Sequence, residues 1–129
     1  MIKGIGVDMV SISEVARYMT FTKSAFVKRT FTEKEVEASL RAYSQAEYLS
    51  TRFAVKEAVF KAIAHFTNNK GFDFRIVETL NECDGYPVIQ VNEKLQSLLD
   101  EAGVESLQVT ITTEGDYAMA FVIALTGIS

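Results

Sequence analysis

The chain has 129 residues, and 48% of them are hydrophobic. It contains one cysteine and carries a formal net charge of −4. This length predicts one domain over residues 1–129 that buries about 65–70% of the unfolded chain's surface. The acidic balance argues against nucleic acid as a partner, and no run of about 18 apolar residues predicts a membrane span. Because Cys83 has no internal disulfide partner and the N-terminus is unlike a secretory signal, we expect a cytoplasmic protein.

The first eight residues, MIKGIGVD, predict a short strand that contains two glycines and ends on Asp8. After this strand, Ser11 or Ser13 is placed to cap a helix that runs to about Met19. Apolar residues recur at helical spacing along this segment.

Residues 15–32 carry four cations and no acid in a chain that is acidic overall: Arg17, Lys23, Lys28 and Arg29. A solvated basic face is one interpretation of this excess, and from the residues alone it is the favoured one. The other interpretation is a docking surface whose charge steers an acidic partner.

Two capping-box patterns predict the next two helices. Residues 32–35 (TEKE) predict a helix that runs to about Leu40, and residues 44–47 (SQAE) predict a long helix that ends near His65 or Phe66. Near such an end, a lone histidine is more often a favourable end charge than a catalyst. A loop through residue 71 is expected next.

The middle of the long helix, residues 52–62 (RFAVKEAVFKA), is apolar on almost every side, which predicts a substantially buried helix. Glu57 and Lys61 lie four residues apart, so their Cβ atoms share one side at about 5–6 Å. Buried charges need a partner, an ion or a ligand. A helical ion pair is the simplest interpretation, but so apolar a background favours a functional site.

Alternation, turn signals and capping residues define the C-terminal half. They predict, in order, a strand at 74–80, a turn at 84–87 (DGYP), a strand at 88–91, a helix from its cap Asn92 to Ala102 closed by Gly103, and a hairpin of strands at 107–113 and 117–125.

Residues 4–8 (GIGVD) and 53–61 (FAVKEAVFK) together resemble the two signature motifs of the 4'-phosphopantetheinyl transferases, in particular the small holo-[acyl-carrier-protein] synthase branch. The resemblance extends to residues 26–35, 84–87 and 109–120. It implies an α+β fold with a small antiparallel sheet wrapped by helices, one of them long and central. Because larger relatives duplicate this unit, it also implies a homotrimer with sites between subunits.

The resemblance implies transfer of 4'-phosphopantetheine from coenzyme A to a serine of an acidic apo acyl carrier protein, with release of adenosine 3',5'-bisphosphate. In that reaction Asp8 and Glu57 bind Mg²⁺, a cation that suits carboxylates, waters and phosphate. Glu57, or a metal-bound water beside it, takes the serine proton, and Lys61 neutralises the diphosphate. Arg52, Lys61 and Pro87 contact the coenzyme, and the basic segment becomes the carrier's docking surface.

Three positions depart from the family pattern: Glu14 where many members have an arginine, Thr113 where the family has a histidine, and residues 64–67 (AHFT) in place of a glycine-rich turn. They support an alternative, a non-catalytic coenzyme- or partner-binding member of the same fold. Retention of Asp8, Glu57 and Lys61 favours the enzyme. A third alternative is an unrelated Mg²⁺-dependent phosphohydrolase.

Overall fold

A three-stranded antiparallel sheet with a long helix across one face forms the centre of the fold. The structure, a computed structural model, describes residues 1–68 and 72–127. Its elements in chain order are β1 (Ile2–Ser11), α1 (Ile12–Phe21), α2 (Ala25–Thr30), α3 (Glu33–Leu40), α4 (Gln45–Ile63), β2 (Glu78–Asn81), β3 (Pro87–Gln90), α5 (Glu93–Ala102), β4 (Ser106–Glu114) and β5 (Tyr117–Leu125). This arrangement confirms the predicted α+β class and the long central helix.

The strand order β1-β5-β4 places the C-terminal strand in the middle of the sheet, while β2 and β3 form a separate hairpin. Alternate residues of β5 are fully buried against α4: Ala118, Ala120, Val122 and Ala124. Three of these four are alanines, and such small side chains let the helix lie close to the sheet.

Two glycines bring β1 against the backbone of α4. A Cβ added at Gly6 would lie 1.9 Å from the carbonyl oxygen of Ala58, and one at Gly4 would lie 2.2 Å from that of Ala62. No side chain fits in either gap. Since residues two apart on a strand share a face, Asp8 continues the glycine row on the side that faces the helix.

A buried ion pair joins α3 to α4. The Lys56 Nζ lies 2.8 Å from the Glu35 Oε1, and both side chains are fully buried. Thr32 and Glu35 also complete the predicted capping box at the start of α3. Lys56 therefore has a structural partner in the core, unlike its neighbour Glu57.

Most predicted elements are confirmed, and three boundaries are wrong. The first strand runs past Asp8 to Ser11, because its pairing with β5 continues to Ser11 opposite Tyr117. The strand predicted at 74–80 begins with a 3-10 turn at Phe74–Ile76, capped by Asp73, and becomes a strand only at Glu78. The long helix ends at Ile63, followed by a 3-10 turn.

At the start of α4, the Ser44 side chain accepts a hydrogen bond from the Glu47 backbone N–H, which is the first half of the predicted capping box. The loop predicted through residue 71 lies partly outside the described residues. Within the described ranges, no helix is long and apolar enough to cross a membrane.

The outer face of the sheet, opposite α4, is apolar and uncovered. Five large side chains on it are exposed: Ile5, Val7, Met9, Met119 and Phe121. These five residues are called the outer sheet face below. A contiguous exposed apolar patch of this kind is typical of an interaction surface.

Candidate active site

The glycine-mediated approach of β1 to α4 places Asp8 beside two charged residues of the helix. The Lys61 Nζ donates to the Asp8 Oδ1 at 2.9 Å and to the Val7 carbonyl oxygen at 3.2 Å. Asp8 is mostly buried, with 16% of its side chain exposed, whereas half of the Lys61 side chain is exposed. Residues 53 positions apart in sequence thus meet at the surface.

Glu57 lies close enough to Asp8 for the two carboxylates to interact electrostatically. Partial burial raises the pKa of Glu57, the charge of Asp8 raises it further, and Lys61 opposes both effects. The hydrogen bond to Asp8 raises the pKa of Lys61 in turn. Asp8 and Glu57 repel each other, and Lys61 supplies one positive charge between them. A second positive charge at this place would reduce the remaining repulsion.

Glu57 and Lys61 occupy the one stripe of α4's C-terminal half that reaches the surface, together with Phe53 and Phe60. The helix is substantially buried, as predicted, but these two charges are not in its buried interior. Phe53 and Phe60 lie about one turn on either side of Glu57. Phe53 and Phe60 therefore flank Glu57 along the helix.

Asp8 and Glu57 fit Mg²⁺ as a donor set. This cation is usually bound by one or two carboxylates plus water and phosphate oxygens. Across residues 1–68 and 72–127, no three acidic, histidine or cysteine side chains are grouped to hold a metal ion. A site of two carboxylates suits a cation that shares its remaining ligands with a phosphorylated substrate.

Arg52 lies on the far side of α4 from this cluster. Its guanidinium donates to the Thr79 carbonyl oxygen at 3.1 Å, the Thr51 Oγ1 at 3.0 Å and the Asn81 Oδ1 at 2.6 Å. It also borders a cavity of about 490 Å³ with Pro87. The structure thus brings Arg52 and Pro87 together, and it separates both from Lys61.

Comparison with known proteins identifies the family. The family model described as the 4'-phosphopantetheinyl transferase superfamily matches residues 4–122. The chain belongs to this superfamily. A holo-[acyl-carrier-protein] synthase of Paraburkholderia phymatum is 39% identical over 97% of this chain and 95% of its own length. The enzyme of the same name from Hydrogenovibrio crunogenus is 34% identical over 96% and 97%.

Solved structures of the superfamily share the fold. Holo-[acyl-carrier-protein] synthase from Neisseria meningitidis matches with a TM-score of 0.86 and 33% identity, covering 96% of this chain and 98% of that one. A coenzyme A complex of the synthase from Chronobacterium ammoniagenes matches with a TM-score of 0.81 and 28% identity, covering 97% and 98%. The predicted family, fold and enzyme class are confirmed.

The four cations predicted to dock a carrier are all exposed on or between α1 and α2: Arg17, Lys23, Lys28 and Arg29. Arg17 lies 3.9 Å from Glu14, one of the three predicted departures from the family pattern. This exposed ion pair partly neutralises one end of the basic surface. Tyr18 and Phe21 are exposed on the same helix, so apolar groups accompany the charge.

The other two predicted departures lie on β4 and directly after α4, where His65 follows Lys61 by four residues. Thr113 is exposed near the end of β4, where it pairs with Ala118. His65 is exposed in the 3-10 turn after α4, with its ring 5.2 Å from that of Phe66.

The sequence did not reveal that Glu35 would contact α4. Its pattern assigned Glu35 only to a helix cap, because no local spacing links it to Lys56.

Proposed function

We propose that this protein transfers 4'-phosphopantetheine from coenzyme A to a serine of an apo acyl carrier protein, in a Mg²⁺-dependent reaction. The observation that carries the proposal is the convergence of Asp8, Glu57 and Lys61 where β1 meets α4, in a chain of this superfamily.

In the proposed reaction, the serine oxygen forms a bond to the phosphorus that carries pantetheine. The bond from that phosphorus to the bridging oxygen breaks, and adenosine 3',5'-bisphosphate leaves. Asp8 and Glu57 would hold Mg²⁺, which would supply positive charge to the diphosphate.

The side chains have separate roles in this scheme. Lys61 is half exposed at the cluster, so its ammonium is available to neutralise charge on the leaving phosphate. Glu57 takes the proton of the serine hydroxyl. Partial burial and the charge of Asp8 raise the pKa of Glu57, which makes it a stronger base than an ordinary glutamate.

In this scheme one coenzyme contacts Lys61 as well as Arg52 and Pro87, and more than one copy of the chain must then supply these residues. Arg52 and Lys61 are nine residues apart, which is about two and a half helical turns, so they lie on opposite sides of α4. We propose that Asp8, Glu57 and Lys61 of one copy meet the Arg52 cavity of another. Association through the outer sheet face, most simply as the homotrimer that the family resemblance implies, would provide this contact.

Subunit mixing tests this arrangement. Asp8→Asn and Arg52→Gln should each be inactive on their own. A mixture of the two variants that has exchanged subunits should regain activity, because at some interfaces the wild-type Asp8 of one subunit meets the wild-type Arg52 of another. Light scattering measures the mass of each assembly. A mixture that stays inactive despite demonstrated exchange, or a wild-type chain that is monomeric and active, would refute the shared site.

The basic surface on α1 and α2 is proposed to dock the acidic carrier protein. Its cations are exposed, and the charges complement an acidic partner while exposed aromatic side chains add apolar contact. The cytoplasmic location expected from sequence suits such a partner.

A mass measurement on the carrier tests the function itself. Wild-type protein is incubated with coenzyme A, Mg²⁺ and an apo carrier, and the carrier is weighed intact. A gain of one phosphopantetheine supports transfer, released nucleotide without a gain supports hydrolysis, and neither product supports binding alone. Asp8→Asn and Glu57→Gln should abolish the gain while circular dichroism shows an unchanged fold, because each keeps the shape and removes the charge.

A further inference from the structure

The fully buried Lys56–Glu35 ion pair lies directly next to the proposed site, because Lys56 precedes Glu57 on α4. The Lys56 ammonium donates to the Glu35 Oε1 at 2.8 Å, to the Phe74 carbonyl oxygen at 2.9 Å and to the Val77 carbonyl oxygen. All three ammonium donors therefore have acceptors.

Glu35 extends this network to two further segments. Its Oε1 also accepts from the Thr32 backbone N–H at 3.0 Å, and its Oε2 accepts from the Thr79 backbone N–H at 3.0 Å. The pair thus ties α4 to the start of α3, to residues 74–77 and to β2. These partners converge from well-separated parts of the sequence.

The same network holds the aromatic segment that borders Glu57. The Phe74 ring packs 5.8 Å from that of Phe53, and the Phe72 ring packs 5.1 Å from that of Phe60. Phe53 and Phe60 flank Glu57 on the helix. Lys56 binds the Phe74 carbonyl, so it fixes both the helix that carries Glu57 and the rings beside it.

A buried ion pair is a poor way to gain stability, because desolvation offsets most of the Coulomb attraction and apolar replacements are often neutral. Its hydrogen bonds are directional, however, and they set the rotation of α4 about its axis. Rotation of this helix would carry Glu57 away from Asp8 on β1.

We propose that Lys56 and Glu35 are positioning residues that hold Glu57 toward Asp8 for the reaction. This inference rests on the proposed function. Loss of the pair should lower kcat by about 10–100-fold, as loss of the groups that orient metal ligands commonly does. The KM for coenzyme A should change by no more than about twofold, because ground-state binding is retained.

The double variant Lys56→Met/Glu35→Gln removes both charges, approximates the shape and keeps an acceptor for the Thr79 N–H. Val55→Ala is the matched control, since it is buried on the same helix and its side chain makes no polar contact. Four quantities are measured for each protein: kcat and KM, both from the mass of the carrier, the urea midpoint of unfolding, and the affinity for Mn²⁺ as a substitute for Mg²⁺. If this double variant does not fold, Lys56→Gln/Glu35→Gln replaces it, because removing one partner alone would leave the other charge buried and unpaired.

The expected result is a folded double variant whose kcat and Mn²⁺ affinity are both about 10–100-fold lower than those of the wild type. Val55→Ala should keep the wild-type kcat and Mn²⁺ affinity, with a urea midpoint comparable to that of the double variant. Wild-type kcat in the double variant, or an equal fall in kcat for Val55→Ala, would overturn the inference. If the wild-type protein transfers no phosphopantetheine, the proposed function fails, and the Mn²⁺ affinity then tests the positioning role by itself. Weaker Mn²⁺ binding by the double variant would support that role, and unchanged Mn²⁺ binding would overturn it. A wild-type protein that does not bind Mn²⁺ would overturn both.

Discussion

Gly6→Ala is expected to push β1 away from α4 and so separate the proposed site. The new Cβ would lie 1.9 Å from the Ala58 carbonyl oxygen, and the next nearest atoms, at 2.9 and 3.0 Å, also belong to the helix backbone. Backbone cannot move aside as a flexible side chain does. An ordinary contact begins at 3.4 Å, so strand and helix must part by about 1.5 Å.

This displacement sets the size of both effects. Overpacking of this kind costs about 1–3 kcal/mol of stability. Asp8, two residues further along the same face, would lose its 2.9 Å contact with Lys61. A misplacement of about 1 Å in a reacting group can lower turnover by about 100-fold, so we expect a loss of that order.

Urea unfolding and carrier mass gain measure the two effects, with Gly115→Ala as the control. Gly115 has a φ of +57° with no atom within 4 Å of an added Cβ, so alanine there incurs only the left-handed penalty of about 1–2 kcal/mol. Both variants should therefore lose comparable stability, but only Gly6→Ala should lose turnover. If Gly6→Ala transfers phosphopantetheine as fast as Gly115→Ala, the close approach does not place the site.

Three further outcomes are expected. Lys61→Met should lower kcat at least about tenfold yet change the free energy of unfolding by less than about 1 kcal/mol, because the Lys61 side chain of the pair is half exposed. Unchanged turnover would leave Lys61 a structural role only. Hydrogen bonds from Ser13 and Ser11 hold the pKa of Asp116 below its ordinary 3.8, so this carboxylate stabilises the fold at neutral pH and the contribution is lost as pH falls through the folded-state pKa. Asp116→Asn should therefore flatten the acid limb of a stability-against-pH curve measured by urea unfolding, and an unchanged limb would contradict this. The double variant Lys28→Gln/Arg29→Gln should raise the KM for an acidic carrier at low salt and leave kcat unchanged, whereas an equal KM at low salt would exclude docking there.

Helix starts and the hairpin could be predicted because their signals are local. Thr32 and Glu35 lie three residues apart, and the cap they predict forms as expected. The same local reasoning misplaced the end of the first strand, since pairing with β5, over a hundred residues away, extends it to Ser11. It also missed the turn at 74–76, where Lys56 binds the Phe74 carbonyl oxygen.

Residue types, spacing and the family resemblance selected the side chains that are proposed to carry the chemistry. Asp8, Glu57 and Lys61 were identified from motifs alone, and the shared face of Glu57 and Lys61 follows from helical periodicity. The same periodicity puts Arg52 on the opposite side of α4 from Lys61. Only the tertiary structure decided that Asp8 meets the Glu57 and Lys61 pair and that Arg52 meets β2. The physical reason is that both facts depend on contacts between distant segments, and for Asp8 the contact forms because glycines let a strand reach a helix backbone.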